Sequence, residues 1–194
     1  MAMTCSPPPG QNVPGTSEKL YNKLRRFWQR GRILGALSMQ PSSRVLVDRG
    51  AFWFLVDRRD KIVGRSLRRT GAYEPEEFGR IAERVTLRSD VLFVGAHIGA
   101  LAIPTAKLCR RIAMVEANPD TFALLTENCS MNAVENCDFY KIAAGESDDR
   151  ISFVMNTHNS GGSKRHPLIS DDVYFYDEPE IAEVPMRVLD QVFS

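Results

Sequence analysis

The chain has 194 residues, of which 43% are hydrophobic and 25% charged, and a formal net charge of +1. Those values suit one globular core and exclude both a disordered polyelectrolyte and a chain dominated by charge of one sign. No run approaches the roughly 18 apolar residues of a membrane span, and the amino-terminal stretch lacks the basic start and apolar core of a signal peptide. Cys5, Cys109, Cys129 and Cys137 form no Cys-x-x-Cys pair, so neither a metal site nor a disulfide framework is indicated, and a reducing cytoplasmic location is expected.

Taken in chain order, residues 1–17 carry a Pro-Pro-Pro-Gly stretch among Ser, Thr, Gln and Asn and are expected to form a disordered tail. Residues 18–70 read as a basic helix and a small antiparallel β-meander, and residues 71–194 as a partial cofactor-binding domain. Charge is divided unevenly: residues 1–70 hold 14 Lys or Arg against 4 Asp or Glu, and residues 71–194 hold 11 against 20. On the basic helix, Lys19, Lys23, Arg25, Arg26, Arg30 and Arg32 lie beside Leu20, Leu24, Phe27 and Trp28. Such a segment suits an anionic membrane surface or nucleic acid, or an amphipathic helix packed on its own acidic domain. The meander is expected over Arg44–Asp48, Ala51–Val56 and Lys61–Val63, with turns at Arg49-Gly50 and Arg59-Asp60. Phe52, Trp53 and Phe54 read as core residues rather than a base-stacking platform. A helix follows over Glu74–Val85, with Phe78, Ile81, Ala82 and Val85 as its buried stripe, and Tyr73 and Glu74 placed to cover a ligand.

The most diagnostic stretch is Val91 to Ala100 followed by Met114 to Pro119. Val91–Val94 is a continuous apolar run, as in a parallel strand buried on both faces. Gly95 and Gly99 bracket a turn in which a ligand can approach the backbone closely. Ala100–Cys109 reads as a helix and Ile112–Val115 as the next strand, ending in Glu116. That acid falls about where dinucleotide folds place a carboxylate on ribose hydroxyls, roughly 20 residues on. A dinucleotide fingerprint would want glycines where His97 and Ala100 stand. A cofactor with ribose and adenine but no pyrophosphate tolerates this turn, and S-adenosylmethionine is that cofactor. Asn118 as N-cap, Pro119 and Asp120 then open a helix that stops near Asn132. A third strand is expected over Asp138–Ala143. Ala117 and Ala143, at strand ends, face the adenine or are plain core alanines.

Gly71-Ala72-Tyr73-Glu74-Pro75, Val94-Gly95-Ala96-His97-Ile98-Gly99, Glu116-Ala117-Asn118-Pro119, Asn128, Asn132, Ala143-Ala144-Gly145 and Val188-Leu189-Asp190 together resemble the FkbM family of methyltransferases, over roughly residues 50–192. The resemblance implies an α/β, Rossmann-like class I sheet with helices on both faces. It implies methyl transfer from S-adenosylmethionine to a hydroxyl of a saccharide, polyketide or other small molecule. The cofactor residues it suggests are Tyr73, Glu74, Gly95, Ala96, His97, Gly99, Glu116, Ala117 and Ala143. Phe93 stands where the family has Asp, His97 where it has Asn, and Ala117 where it has Pro. The carboxyl-terminal half of the sheet is expected to be missing, which would leave one flank of the first strand open to pairing, including with a second copy of the chain. The base is not assigned; His158 and His166, flanking Asn159–Ser163, are the candidates. The alternative is a non-catalytic module that binds an anionic membrane or nucleic acid through its basic helix.

Overall fold

A computed structural model describes residues 44–48, 50–156, 158–165 and 180–194. The expected tail, the basic helix and His166 lie outside them. Among the described residues, no helix is long and apolar enough to cross a membrane.

The described chain begins as an antiparallel hairpin, β1 (Arg44–Asp48) and β2 (Trp53–Asp57), in the register Leu46 opposite Leu55. Gly50 turns at φ +73°, and its N–H donates to Asp48 Oδ1 at 2.9 Å. Phe54, Leu55 and Val56 are buried, and Phe52 and Trp53 pack against the same core, which is the core role expected for these aromatics. The meander has no third strand, because Val63 opens helix α1 (Val63–Thr70). Asp60 redirects the chain there: its Oδ1 accepts from the Ile62 N–H at 2.8 Å, a local side-chain turn that competes with strand pairing. Arg68 reaches back from α1 to the carbonyls of Asp57 and Asp60, and Gly71 at φ +82° ends the helix in the left-handed cap.

Helix α2 (Pro75–Ala82) is shorter than expected and no residue in it is fully buried. Its stripe of Phe78, Ile81 and Ala82 is only half-covered. The parallel sheet follows: β3 (Asp90–Val94), α3 (Ala102–Ala106), β4 (Arg111–Val115), α4 (Pro119–Met131) and β5 (Cys137–Tyr140), in strand order β3-β4-β5. Ile112 and Met114 of central β4 are fully buried on one face, with Ile103 of α3 and Leu125 of α4 in the same core. The expectation that β3 is buried on both faces is corrected: Leu92 and Val94 are 44% and 49% exposed. Among the described residues β3 pairs only with β4, so it is an edge strand. The face carrying Leu92 and Val94 is covered only in part, where Phe193 packs edge-on against Tyr140.

The helix expected over Ala100–Cys109 contracts to the five residues of α3, with Pro104 inside it and no side-chain cap. The third strand splits in two. Cys137–Tyr140 stays in the parallel sheet, while β6 (Ala143–Ala144) pairs with β9 (Glu180–Arg187) in a second sheet of order β6-β9-β7-β8. Its other members are β7 (Asp149–Met155) and β8 (Lys164–Arg165), and α5 (Leu189–Val192) follows β9. A 3₁₀ turn, Ser160–Gly162, carries the chain from β7 to β8.

Candidate methyltransferase site

The site grows from the turn after β3. The Gly95 and Ala96 N–H groups both donate to the Val115 carbonyl, at 2.9 and 3.0 Å, which locks the turn onto the end of β4. Gly95 sits at φ +77°, and a Cβ there would meet nothing within 4 Å; its missing side chain leaves cavity open. Gly99, at φ +87°, serves packing instead: a Cβ would come within 2.7 Å of Ile103 Cδ1 and 3.0 Å of Leu125 Cδ1. Between them His97 also takes a left-handed backbone, at φ +53°, a conformation uncommon outside Gly, Asn and Asp.

Glu116 is 8% exposed and joins three segments. Its Oε2 accepts from the His97 N–H at 2.8 Å, and its Oε1 accepts from the Asn118 N–H at 2.8 Å and from Thr121 Oγ1 at 3.0 Å. A carboxylate offers about four acceptor sites, so most of Glu116 is engaged in holding the β3 and β4 turns together. Asn118 then caps α4 as expected, its side-chain oxygen accepting from the Asp120 N–H at 2.9 Å.

The segment 158–163 lies across the same space. Its His158 carbonyl accepts from the Lys61 N–H at 2.8 Å, and Ser163 Oγ accepts from Asn118 Nδ2 at 3.1 Å. Ser160 Oγ bonds His97 Nε2 at 2.7 Å and also donates to Asp60 Oδ2. Asp60 is 3% exposed.

These elements enclose a cavity of about 480 Å³, within the size range of small-ligand sites. Of the residues expected to hold a cofactor, Tyr73, Glu74, Gly95, Ala96, His97, Glu116, Ala117 and Ala143 line it, and Gly99 does not. Phe93 lines it too, so no acid stands at that position. His158, the described candidate base, is not among the lining residues. Sequence reasoning missed Val63, Phe153, Ser160, Gly161 and Ser163. Only the position of Asn159–Ser163 between the two candidate histidines pointed toward the last three. Burial pushes the His97 imidazole below its ordinary value, although the carboxylates of Glu116 and Asp60 oppose that shift.

Residues 71–158 match the family model of the TRM5/TYW2 methyltransferase domain. The match covers the glycine turn, Glu116 and the start of the segment over the cavity, and agrees with a Rossmann-like class I methyltransferase fold. The match is to TRM5/TYW2, not to the FkbM family that the motifs resemble; the two readings agree on class, fold and cofactor. Solved structures give partial likenesses. The chain is similar to M. jannaschii TYW2 in complex with AdoMet, at 24% identity and a TM-score of 0.43, covering 52% of this chain and 44% of that one. It is similar to M. jannaschii tRNA m1G37 methyltransferase at 21% identity and a TM-score of 0.40, covering 53% and 30%. For aTrm5 in complex with tRNALeu the values are 18% and 0.42, covering 53% and 28%. The domain spans less than half the length of each of these proteins. No curated protein matches the chain.

Proposed function

We propose that the chain is an S-adenosylmethionine-dependent methyltransferase acting on RNA. The observation that carries the methyltransferase reading is the coincidence of the matched domain with the cavity: its glycine turn and Glu116 fall within residues 71–158, and the segment across the cavity begins where the match ends. Gly95 leaves space for a ligand beside the backbone, and buried Glu116 supplies an acceptor beside that space. S-adenosylmethionine would supply an activated methyl on a sulfonium. The protein's residues would hold and orient it, and holding two reactants in line can supply a large part of the barrier reduction.

Two observations support an RNA acceptor over the small-molecule hydroxyl suggested by the FkbM resemblance. The matching family includes proteins whose solved relatives are described as acting on or binding tRNA. Independently, Arg65 and Arg69, four residues apart on α1, are exposed and share one helix face, and exposed Lys61 stands just before the helix. They line a groove that also contains Tyr73 and Glu74, the two residues that line the cavity from that side. A row of cations leading to the methyl donor suits a phosphate backbone. The basic residues between positions 19 and 32 would add to that charge.

The test is transfer of labelled methyl from S-adenosylmethionine to bulk tRNA, with a saccharide and polyketide panel beside it. Label in tRNA supports the reading. Label only in the small-molecule panel overturns the RNA acceptor, and no label together with no cofactor binding overturns the methyltransferase.

A further inference from the structure

The groove along α1 and the cavity over the glycine turn share a wall. The groove, of about 500 Å³, is lined by Lys61, Arg65 and Arg69 and ends on Tyr73 and Glu74. The same two residues line the cavity beside Gly95 and Glu116, and no other described residue lines both. They stand in the link between Gly71, which caps α1, and Pro75, which opens α2.

Charge changes sign along this path. Exposed Lys61, Arg65 and Arg69 come first, then the carboxylate of Glu74, then the apolar walls of Val63, Phe93 and Leu101. A phosphate is drawn to the cations and repelled at Glu74. A neutral group passes more easily, and one with an N–H would be held, since an ionised carboxylate only accepts. Glu74 is exposed, so its oxygens are open to such a donor. Those of Glu116, which is 8% exposed and accepts three bonds, are not. Tyr73 is half-buried with one side packed on the core. Burial, and then the Glu74 carboxylate beside it, hold its phenol above the ordinary value, so the ring stays neutral and offers a stacking surface for a base. Glu74 also keeps a left-handed backbone at φ +45° and makes no side-chain cap bond to α2. That conformation is unfavourable for a side chain of this kind, and such strain collects at ligand clamps.

Resting on the RNA reading above, we propose that Tyr73 and Glu74 receive the acceptor nucleobase at the mouth of the cofactor cavity. The strand runs along Lys61, Arg65 and Arg69, and the base stacks on Tyr73 and donates an N–H to Glu74. Both residues thereby serve the acceptor rather than the cofactor, where the FkbM resemblance puts them. A base held in a duplex stack cannot reach this site, so the acceptor is an unpaired or readily extruded base that carries an N–H.

Transfer of labelled methyl to bulk tRNA by the full chain tests this, with calorimetry for S-adenosylmethionine and filter binding for tRNA. Tyr73→Leu keeps an apolar side chain and loses the stacking face; Glu74→Gln keeps the size and loses the charge at an exposed position, so its result does not turn on folding. Each is expected to lower kcat/KM for tRNA by roughly tenfold to a hundredfold, the range for losing one stacked base, with S-adenosylmethionine affinity kept within about twofold. Tyr73→Leu should also leave the salt slope of tRNA binding unchanged, because no phosphate contact is removed. Tyr73→Phe, which keeps the stacking face, should retain transfer within about threefold. Digestion to nucleosides should find the label on a base. Cofactor affinity falling in step with transfer returns both residues to the cofactor and overturns the proposal. So does transfer unchanged in Tyr73→Leu and Glu74→Gln, or label on the ribose. If the unmodified chain labels no tRNA, the RNA reading itself fails and this proposal falls with it.

Discussion

The side chain of Asn128 on α4 pairs with the backbone of Leu55 on β2 as a neighbouring strand would. Its Oδ1 accepts from the Leu55 N–H at 2.7 Å, and its Nδ2 donates to the Leu55 carbonyl at 3.2 Å and to the Ile98 carbonyl at 2.8 Å. Asn132, one turn on, repeats the pattern on Trp53, at 2.9 and 2.6 Å. Four helical residues rise about 6 Å and two strand residues about 6.6 Å, so the two amides match alternate residues of the strand edge. The helix thereby satisfies the free edge of the hairpin, and through Ile98 it ties the hairpin to the cofactor turn.

Asn128→Ala should therefore destabilise the protein by roughly 2–4 kcal/mol, since it strands a buried donor and two buried acceptors at once. Asn128→Asp should also destabilise, because it keeps the acceptor and loses both donations. Urea unfolding measures both. A loss below about 0.5 kcal/mol, the scale of an ordinary surface change, would show that water replaces the amide.

The two glycines of the turn should separate folding from binding. Gly99→Ala places a Cβ 2.7 Å from Ile103 in a left-handed backbone, and should cost about 2 kcal/mol or more from strain and overpacking. Gly95→Ala incurs only the backbone strain, about 1–2 kcal/mol, but its Cβ enters the cavity. It should lose S-adenosylmethionine binding in calorimetry while retaining a cooperative melt.

Glu116 should behave as a structural carboxylate as well as a ligand-side one. Glu116→Ala is expected to lower the melting temperature even without cofactor, because it releases the N–H groups of His97 and Asn118 and the Thr121 hydroxyl. Thr121→Val removes one of those donors and should cost about 1 kcal/mol, with little effect on cofactor affinity. An unaltered melt for Glu116→Ala would mean the turns hold without it.

Stability should fall with acid through His97. Burial sets its folded value below the unfolded one of about 6.5. Between the two values the unfolded chain binds the extra proton, so this contribution is complete above about pH 6.5 and is lost as pH drops toward the folded value. Urea midpoints across that interval, compared with His97→Gly, should show a shallower pH slope in the variant.

Charge reversal along α1 tests the acceptor. Arg65→Glu with Arg69→Glu should weaken RNA binding and reduce its salt slope by about two, one for each phosphate no longer neutralised, while S-adenosylmethionine affinity stays within about twofold. An unchanged RNA slope would remove this face from the RNA path.

Local patterns are legible in the sequence because local physics decides them. The apolar runs of β3 and β4, the glycine turn, the Asn118-Pro119 cap and Glu116 after β4 each depend on neighbours a few residues away. Asn128 and Asn132 show in the sequence only as family marks and a helix stop, since their partners Leu55 and Trp53 lie 73 and 79 residues distant. The third strand expected of the meander is a helix instead, because Val63 suits strand or helix equally by pattern. The Asp60 turn, with Arg68 behind it, chooses the helix.

By itself the sequence determined a strand–turn–helix–strand cradle, its acid and its class of cofactor, because spacing along one βαβ unit follows from chain geometry. Only the tertiary structure decided that Glu116 is largely engaged by its own turns, that Ser160 joins Asp60 to His97, and that one buried ring nitrogen of His97 is left without a hydrogen-bond partner. Those facts depend on three segments meeting in space, at sequence separations that no periodicity records.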